Sequence, residues 1–148
     1  MRNLYNIIDL NIKDFLKEKC NYRTCKDIGI FLIEINKKDI NKDLKIILEK
    51  HNIRKEDKKY IFEDKNSFYI LYIFNTIHLN SLNDLTTKIY YFLENELTNK
   101  LNCVYELIPN KNKKENIREY INELIHSLND LKKDIGIYPR IIDTKFEI

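Results

Sequence analysis

Ser67-Phe68-Tyr69-Ile70-Leu71-Tyr72-Ile73-Phe74 is the stretch that decides the fold: an unbroken aromatic and aliphatic run behind a turn-forming Asp64-Lys65-Asn66. Successive strand side chains point to opposite faces, so a run that is apolar at both parities must be covered on both faces and belongs at a sheet centre. Ile28-Gly29-Ile30-Phe31-Leu32-Ile33-Glu34-Ile35 has the same character and is the expected neighbour.

Downstream of this pair, Ser81-Leu82-Asn83-Asp84 has the form of a capping box, with a serine to cap and an acid three residues on. It predicts a helix over 81–98 that turns Leu82, Leu85, Ile89, Phe92, Leu93 and Leu97 inward. Residues 101–108 alternate as a strand and stop at Pro109, which has no N–H to give to a ladder. Beyond a Lys- and Asn-rich loop at 110–114, Ile117, Ile121, Leu124, Leu128 and Leu131 form the clearest helical stripe, over 115–133. Ile135 to Phe146 can supply a last extended segment around Pro139.

Upstream, Tyr60-Ile61-Phe62 is a short strand joined to the central run by the turn from Glu63 to Asn66, and Arg54 to Lys59 is a charged loop. Ile40, Leu44, Ile47 and Leu48 predict a helix over 38–51 that ends near His51-Asn52, where asparagine suits a helix terminus. Leu4, Ile7, Ile8, Ile12, Phe15 and Leu16 lie on one stripe of a helix over 3–19.

Strand, helix, strand, strand, helix, strand over 28–108 is the split unit of an α+β, ferredoxin-like fold. A four-stranded antiparallel sheet follows, with the first and third strands at its centre. In that unit two helices cover one face, so covering the other falls to the helix at 3–19, the helix at 115–133 or a partner. A chain of 148 residues, 43% hydrophobic, with no repeat and no apolar-poor linker, reads as one domain over 1–148.

Alanine, glutamine and tryptophan are absent while Ile, Asn and Lys abound. This is the pattern of an AT-rich coding sequence, so the lysine content is no nucleic-acid footprint in itself. The net charge is +3, from 26 basic and 23 acidic residues interleaved along the chain, which gives no long-range positive field. Cys20, Cys25 and Cys103 lack a CxxC pair or an adjacent histidine, which points to a reducing compartment and away from disulfide or zinc frameworks. With no membrane-length apolar run and no signal-type N-terminus, the expected location is cytoplasmic.

Four functional readings follow. In a sheet of this order the exit of the first strand approaches the turn between the second and third, bringing Glu34 or Asn36 toward Glu63 and Asp64. Acids so placed hold paired metal ions in nucleotide-polymerising palms. The order of elements resembles that of GGDEF-type diguanylate cyclase domains, which implies a nucleotide cyclase. Here, however, Phe62-Glu63-Asp64-Lys65-Asn66-Ser67-Phe68 replaces the signature turn, and Gly29 and Gly136 are the only glycines. Residues 28–108 also resemble an RRM in length and order, which implies single-stranded RNA stacked on Phe31 and Tyr69 across an open face.

Nucleophilic or metal chemistry finds no support, because His51, His78 and His126 share no ligand spacing, Ser81 is assigned to capping, and Ser67 and Ser127 lack an elbow or base motif. The reading that remains is a non-catalytic binding or regulatory protein of the adaptor, inhibitor, immunity or degenerate signalling type. It is expected to use no metal or cofactor and to act on a protein partner or as a homodimer, through surplus apolar surface on the 3–19 and 115–133 helices and on Tyr138, Ile141, Ile142 and Phe146.

Overall fold

The computed structural model describes residues 3–19, 27–40, 43–75, 77–97, 101–109, 117–133 and 141–143. Helix α1 (Leu4–Lys19) precedes strand β1 (Ile28–Asn36), a 3-10 turn (Lys37–Asp39), α2 (Leu44–Glu49), β2 (Lys58–Glu63) and β3 (Ser67–Phe74). Then come α3 (Leu79–Leu97), β4 (Asn102–Ile108), α4 (Ile117–Lys133) and β5 (Ile141–Asp143). The sheet order is β2-β3-β1-β4-β5, and the first four strands are antiparallel throughout. The class is α+β. The two doubly apolar strands are neighbours, with Leu32 opposite Leu71 and Phe31 opposite Tyr72.

The register sorts the core into two halves. Phe31, Ile33, Ile35, Ile70, Tyr72, Phe74, Cys103 and Tyr105 face α2 and α3. Ile28, Ile30, Leu32, Tyr69, Leu71, Ile73, Val104 and Ile108 face α1 and α4. Ile8, Ile12 and Phe15 from α1 join Ile121, Leu124, Leu128 and Leu131 from α4 on that second face, all buried. The apolar stripes of α1 and α4 therefore close mainly over their own sheet, while Leu4, Ile7, Leu16 and Ile117 stay partly exposed and Leu10 is left 58% exposed on α1. Tyr138 and Phe146 lie outside the described residues.

Three elements differ from the sequence expectations. The helix anticipated over 38–51 is divided: Asn36 accepts a hydrogen bond from Lys38 N at 3.0 Å to start the 3-10 turn, and Asp43 accepts one from Lys45 N at 3.0 Å to start α2. Two local caps thus set two short elements where periodicity suggests one. α2 closes at Lys50, a right-handed C-cap whose N–H donates to Ile47 O and Leu48 O.

α3 begins two residues early, at Leu79, with Leu82 N–H donating to His78 O at 2.9 Å, and so Ser81 sits within its first turn and not at its cap. The cause is a hydrophobic staple, in which Ile77 just before the cap packs with Leu82 in the core and sets the entry of the chain. The third difference is β5, which lies parallel beside β4 with Val104 opposite Ile142. It adds a fifth strand to a sheet for which four were expected.

The charged loop at 54–59 holds a buried carboxylate. Asp57, with its side chain 1% exposed, accepts from Arg54 Nε at 2.7 Å, from Arg54 Nη2 at 2.9 Å and from Asn75 N at 2.8 Å. Arg54 Nη2 also donates to Asn75 O at 2.7 Å. This clasp ties the entrance of β2 to the exit of β3.

Candidate functional site

The acids proposed for a palm-like site sit at one end of the central strands. Glu34, on β1, is opposite Tyr69 on β3, and both point to the α1/α4 face. The Tyr69 hydroxyl donates to Glu34 Oε2 at 2.8 Å, and Asp64 Oδ2 stands 3.3 Å from that hydroxyl oxygen. Asp64 is fixed in turn by the hairpin, its Oδ1 accepting from the backbone amides of Asn66 and Ser67 at 2.9 Å each. Burial, reinforced by the two carboxylates, pushes the Tyr69 hydroxyl's pKa far above its ordinary value, so it stays a proton donor.

Glu63 does not join them. It is opposite Phe68, on the α2/α3 face, where it pairs with Lys37 at 2.7 Å. Adjacent strand residues point to opposite faces, so neighbours in sequence are separated by the thickness of the sheet. The Lys37 ammonium also lies 5.3 Å from the centre of the Phe68 ring. Asn36, the alternative to Glu34, turns its side chain onto the Lys38 amide. The structure thus brings together Glu34 and Asp64 around Tyr69 and leaves Glu63 apart. Among the described residues, no group of three or more His, Cys, Asp or Glu is arranged to hold a metal ion.

The RNA-stacking pair is divided in the same way. Phe31 lies in the α2/α3 half of the core and Tyr69 in the α1/α4 half, and both are buried. Phe31 stacks on Tyr72 at 5.9 Å and meets Tyr105 edge-on at 6.3 Å, while Tyr69 stacks on Phe62 at 5.3 Å. Each ring already packs against the chain's own aromatics. Helices cover both sheet faces, and the open platform that base stacking needs is not formed.

The histidines are scattered. His51 is half-buried against Phe92, and burial, with Lys59 nearby, lowers its pKa. His78 is exposed before α3, and His126 is 3.2 Å from Asp130 on the outside of α4. Cys103 is fully buried, as a core residue should be, and burial raises its thiol pKa well above the ordinary value, with Glu94 adding to the shift. Such a thiol is inert. Cys20 and Cys25 lie outside the described residues.

Two buried carboxylates were missed by the sequence reading. Asp57 lay unmarked inside a charged run, and Glu106 lies fully buried on β4 between Val104 and Ile108. Parity was the available signal for Glu106, which occupies a position where both same-side neighbours are core residues.

Replacing Tyr69 by phenylalanine removes the shared hydroxyl and leaves the Glu34 and Asp64 carboxylates facing each other. The expected cost is about 1–3 kcal/mol of unfolding free energy. Urea denaturation checks this as a lower midpoint at unchanged slope, and a variant as stable as the parent would show that the hydroxyl does not tie the two acids.

No described helix is long and apolar enough to cross a membrane. No protein-family model, curated protein or solved structure matches the chain.

Proposed function

We propose that this chain is a non-catalytic binding module that works by contact with protein, in a reducing, cytoplasmic setting. We read its core, with β1 and β3 side by side between β2 and β4, as ferredoxin-like. The observation that carries the functional reading is the pair of large apolar side chains Ile46 and Tyr91, 57% and 55% exposed on the outer side of the α2/α3 layer. Most of the apolar surface of these helices is turned inward, which sets these two side chains apart, and we read them as the points of contact. What further supports it is the internal engagement of the candidate acids, Glu34 and Asp64 on Tyr69 and Glu63 on Lys37.

The test is capture from the source cytoplasm by the immobilised chain, with an Ile46→Glu/Tyr91→Glu double variant as comparison. Retention of a discrete protein, reduced by about tenfold in the variant while its circular dichroism is unchanged, is the expected result. Equal retention by both proteins would overturn the reading. So would conversion of ATP or GTP with Mg²⁺ that disappears in Asp64→Ala.

A further inference from the structure

The outer edge of β2 carries a self-complementary strand. In Lys58-Lys59-Tyr60-Ile61-Phe62-Glu63-Asp64 the charges and the aromatics are arranged symmetrically about Ile61. β2 ends the sheet order, and among the described residues no strand lies beyond it. Asp64 N–H donates inward to Ser67 O at 3.0 Å. Backbone groups alternate in direction along a strand, so those of Tyr60 and Phe62 also address β3, and those of Lys59, Ile61 and Glu63 address the outer edge.

Resting on the reading that the chain acts through protein contact, we propose that β2 pairs antiparallel with β2 of a second copy about a two-fold axis at Ile61. The two sheets then become one continuous sheet. Ile61 faces Ile61 of the other copy, and their outward N–H and C=O groups exchange a reciprocal pair of hydrogen bonds. Lys59 meets Glu63 of the second copy with the same outward backbone geometry, Tyr60 meets Phe62, and Lys58 meets Asp64. Directly opposed residues of an antiparallel pair share a face, so each charge pair and each aromatic pair can touch.

Side-chain exposure fits this arrangement. Ile61 is 36% exposed, a large aliphatic side chain left open in the middle of an edge strand. The flanking charges have partners within their own chain: Lys58 with Glu18, Lys59 Nζ donating to Leu48 O at 2.6 Å, Glu63 with Lys37, and Asp64 with Tyr69. The side chain of Glu63 nevertheless remains 58% exposed and that of Lys58 31%, which leaves room for a partner across the axis.

Lysines on an edge strand ordinarily discourage pairing. Here the acids at the other end of the same strand reverse that effect in one register only. Moving the axis to Tyr60 sets Glu63 against Asp57 of the second copy, and moving it to Phe62 sets Lys59 against Lys65. Parallel pairing sets each charge beside its own kind. A contact confined to one short strand lies at the small end of interfaces, so the dimer should be a concentration-dependent equilibrium.

Sedimentation equilibrium over a dilution series, with amide hydrogen exchange on the wild-type chain, tests the proposal. The expected result is a reversible dimer in which the amides of Lys59, Ile61 and Glu63 gain protection as concentration rises, while those of Tyr60 and Phe62 are protected throughout. Ile61→Lys places like charges across the axis and should raise the dissociation constant by about tenfold or more. Lys59→Glu and Glu63→Lys should each weaken the dimer, and the double exchange should restore it; melting temperature reports whether each variant is folded.

A monomer at every concentration overturns the pairing. A dimer in which the three outward amides stay unprotected, or one that a folded Ile61→Lys variant leaves unchanged, overturns it equally. If the wild type is monomeric while capture sensitive to Ile46 and Tyr91 persists, the pairing fails and the protein-contact reading stands.

Discussion

Replacing Phe15 by alanine is expected to remove about 3–5 kcal/mol of unfolding free energy, the usual cost of deleting a buried aromatic ring. Phe15 is fully buried, and with Ile8 and Ile12 it makes the stripe by which α1 closes over Leu32 and Leu71 on the second sheet face. β1 and β3 present Ile30, Leu32, Leu71 and Ile73 to that face, an apolar centre that must be kept from water. Losing the ring opens a cavity between α1, α4 and the sheet, and the gap cannot collapse while the strands are held by their ladder. Native domains are stable by only about 5–15 kcal/mol, so the variant should unfold at a much lower urea concentration. Leu10→Ala, on the same helix but at a position 58% exposed, is the control and should change stability by no more than about 0.5 kcal/mol. Equal midpoints for the two variants would mean that α1 does not cover the sheet.

Gly29→Val is expected to cost about 1–3 kcal/mol even though valine suits a strand better than glycine does. A Cβ at this position would stand 2.6 Å and 3.1 Å from the two methyl carbons of Leu82 and 3.3 Å from Cγ2 of Ile77. Leu82 and Ile77 are the staple that sets the start of α3, and both are buried, so neither can swing into solvent. The valine must displace the Leu82 side chain within the core or push the start of α3 away from β1. A double-mutant cycle with Leu82→Ala isolates the contact. Leu82→Ala alone should cost about 2–5 kcal/mol, but the combination should cost less than the sum by about 0.5–3 kcal/mol, because the valine fills part of the space the leucine leaves. Strict additivity would place Leu82 away from Gly29.

Both predictions rest on positions whose roles differ in how visible they are in the sequence. Phe15 could be read directly: it lies on a helical stripe, and two strands apolar at both parities require such a stripe on each face. That requirement is local, since the side-chain periods of strand and helix follow from backbone geometry. For this reason the sequence alone determined which strands lie at the centre and that both faces must be covered, while the structure decided that α1 and α4, and not a partner, cover the second face.

Gly29 could not be read in this way, because nothing in its neighbourhood announces that Leu82, far along the chain, will rest on it. The early start of α3, the division of the 38–51 segment and the parallel placement of β5 are decided likewise by contacts between distant residues, or by caps that compete with periodicity. The site residues show the same limit most sharply. Whether Glu34 meets Asp64 or Glu63, and whether Phe31 shares a face with Tyr69, depends on strand register, and a shift of one residue sends every side chain to the other side of the sheet. Only the tertiary structure settles that register, because it is chosen by the packing of both core halves together; in doing so it gathers Glu34 and Asp64 around Tyr69 and sets Glu63 and Phe31 on the opposite face.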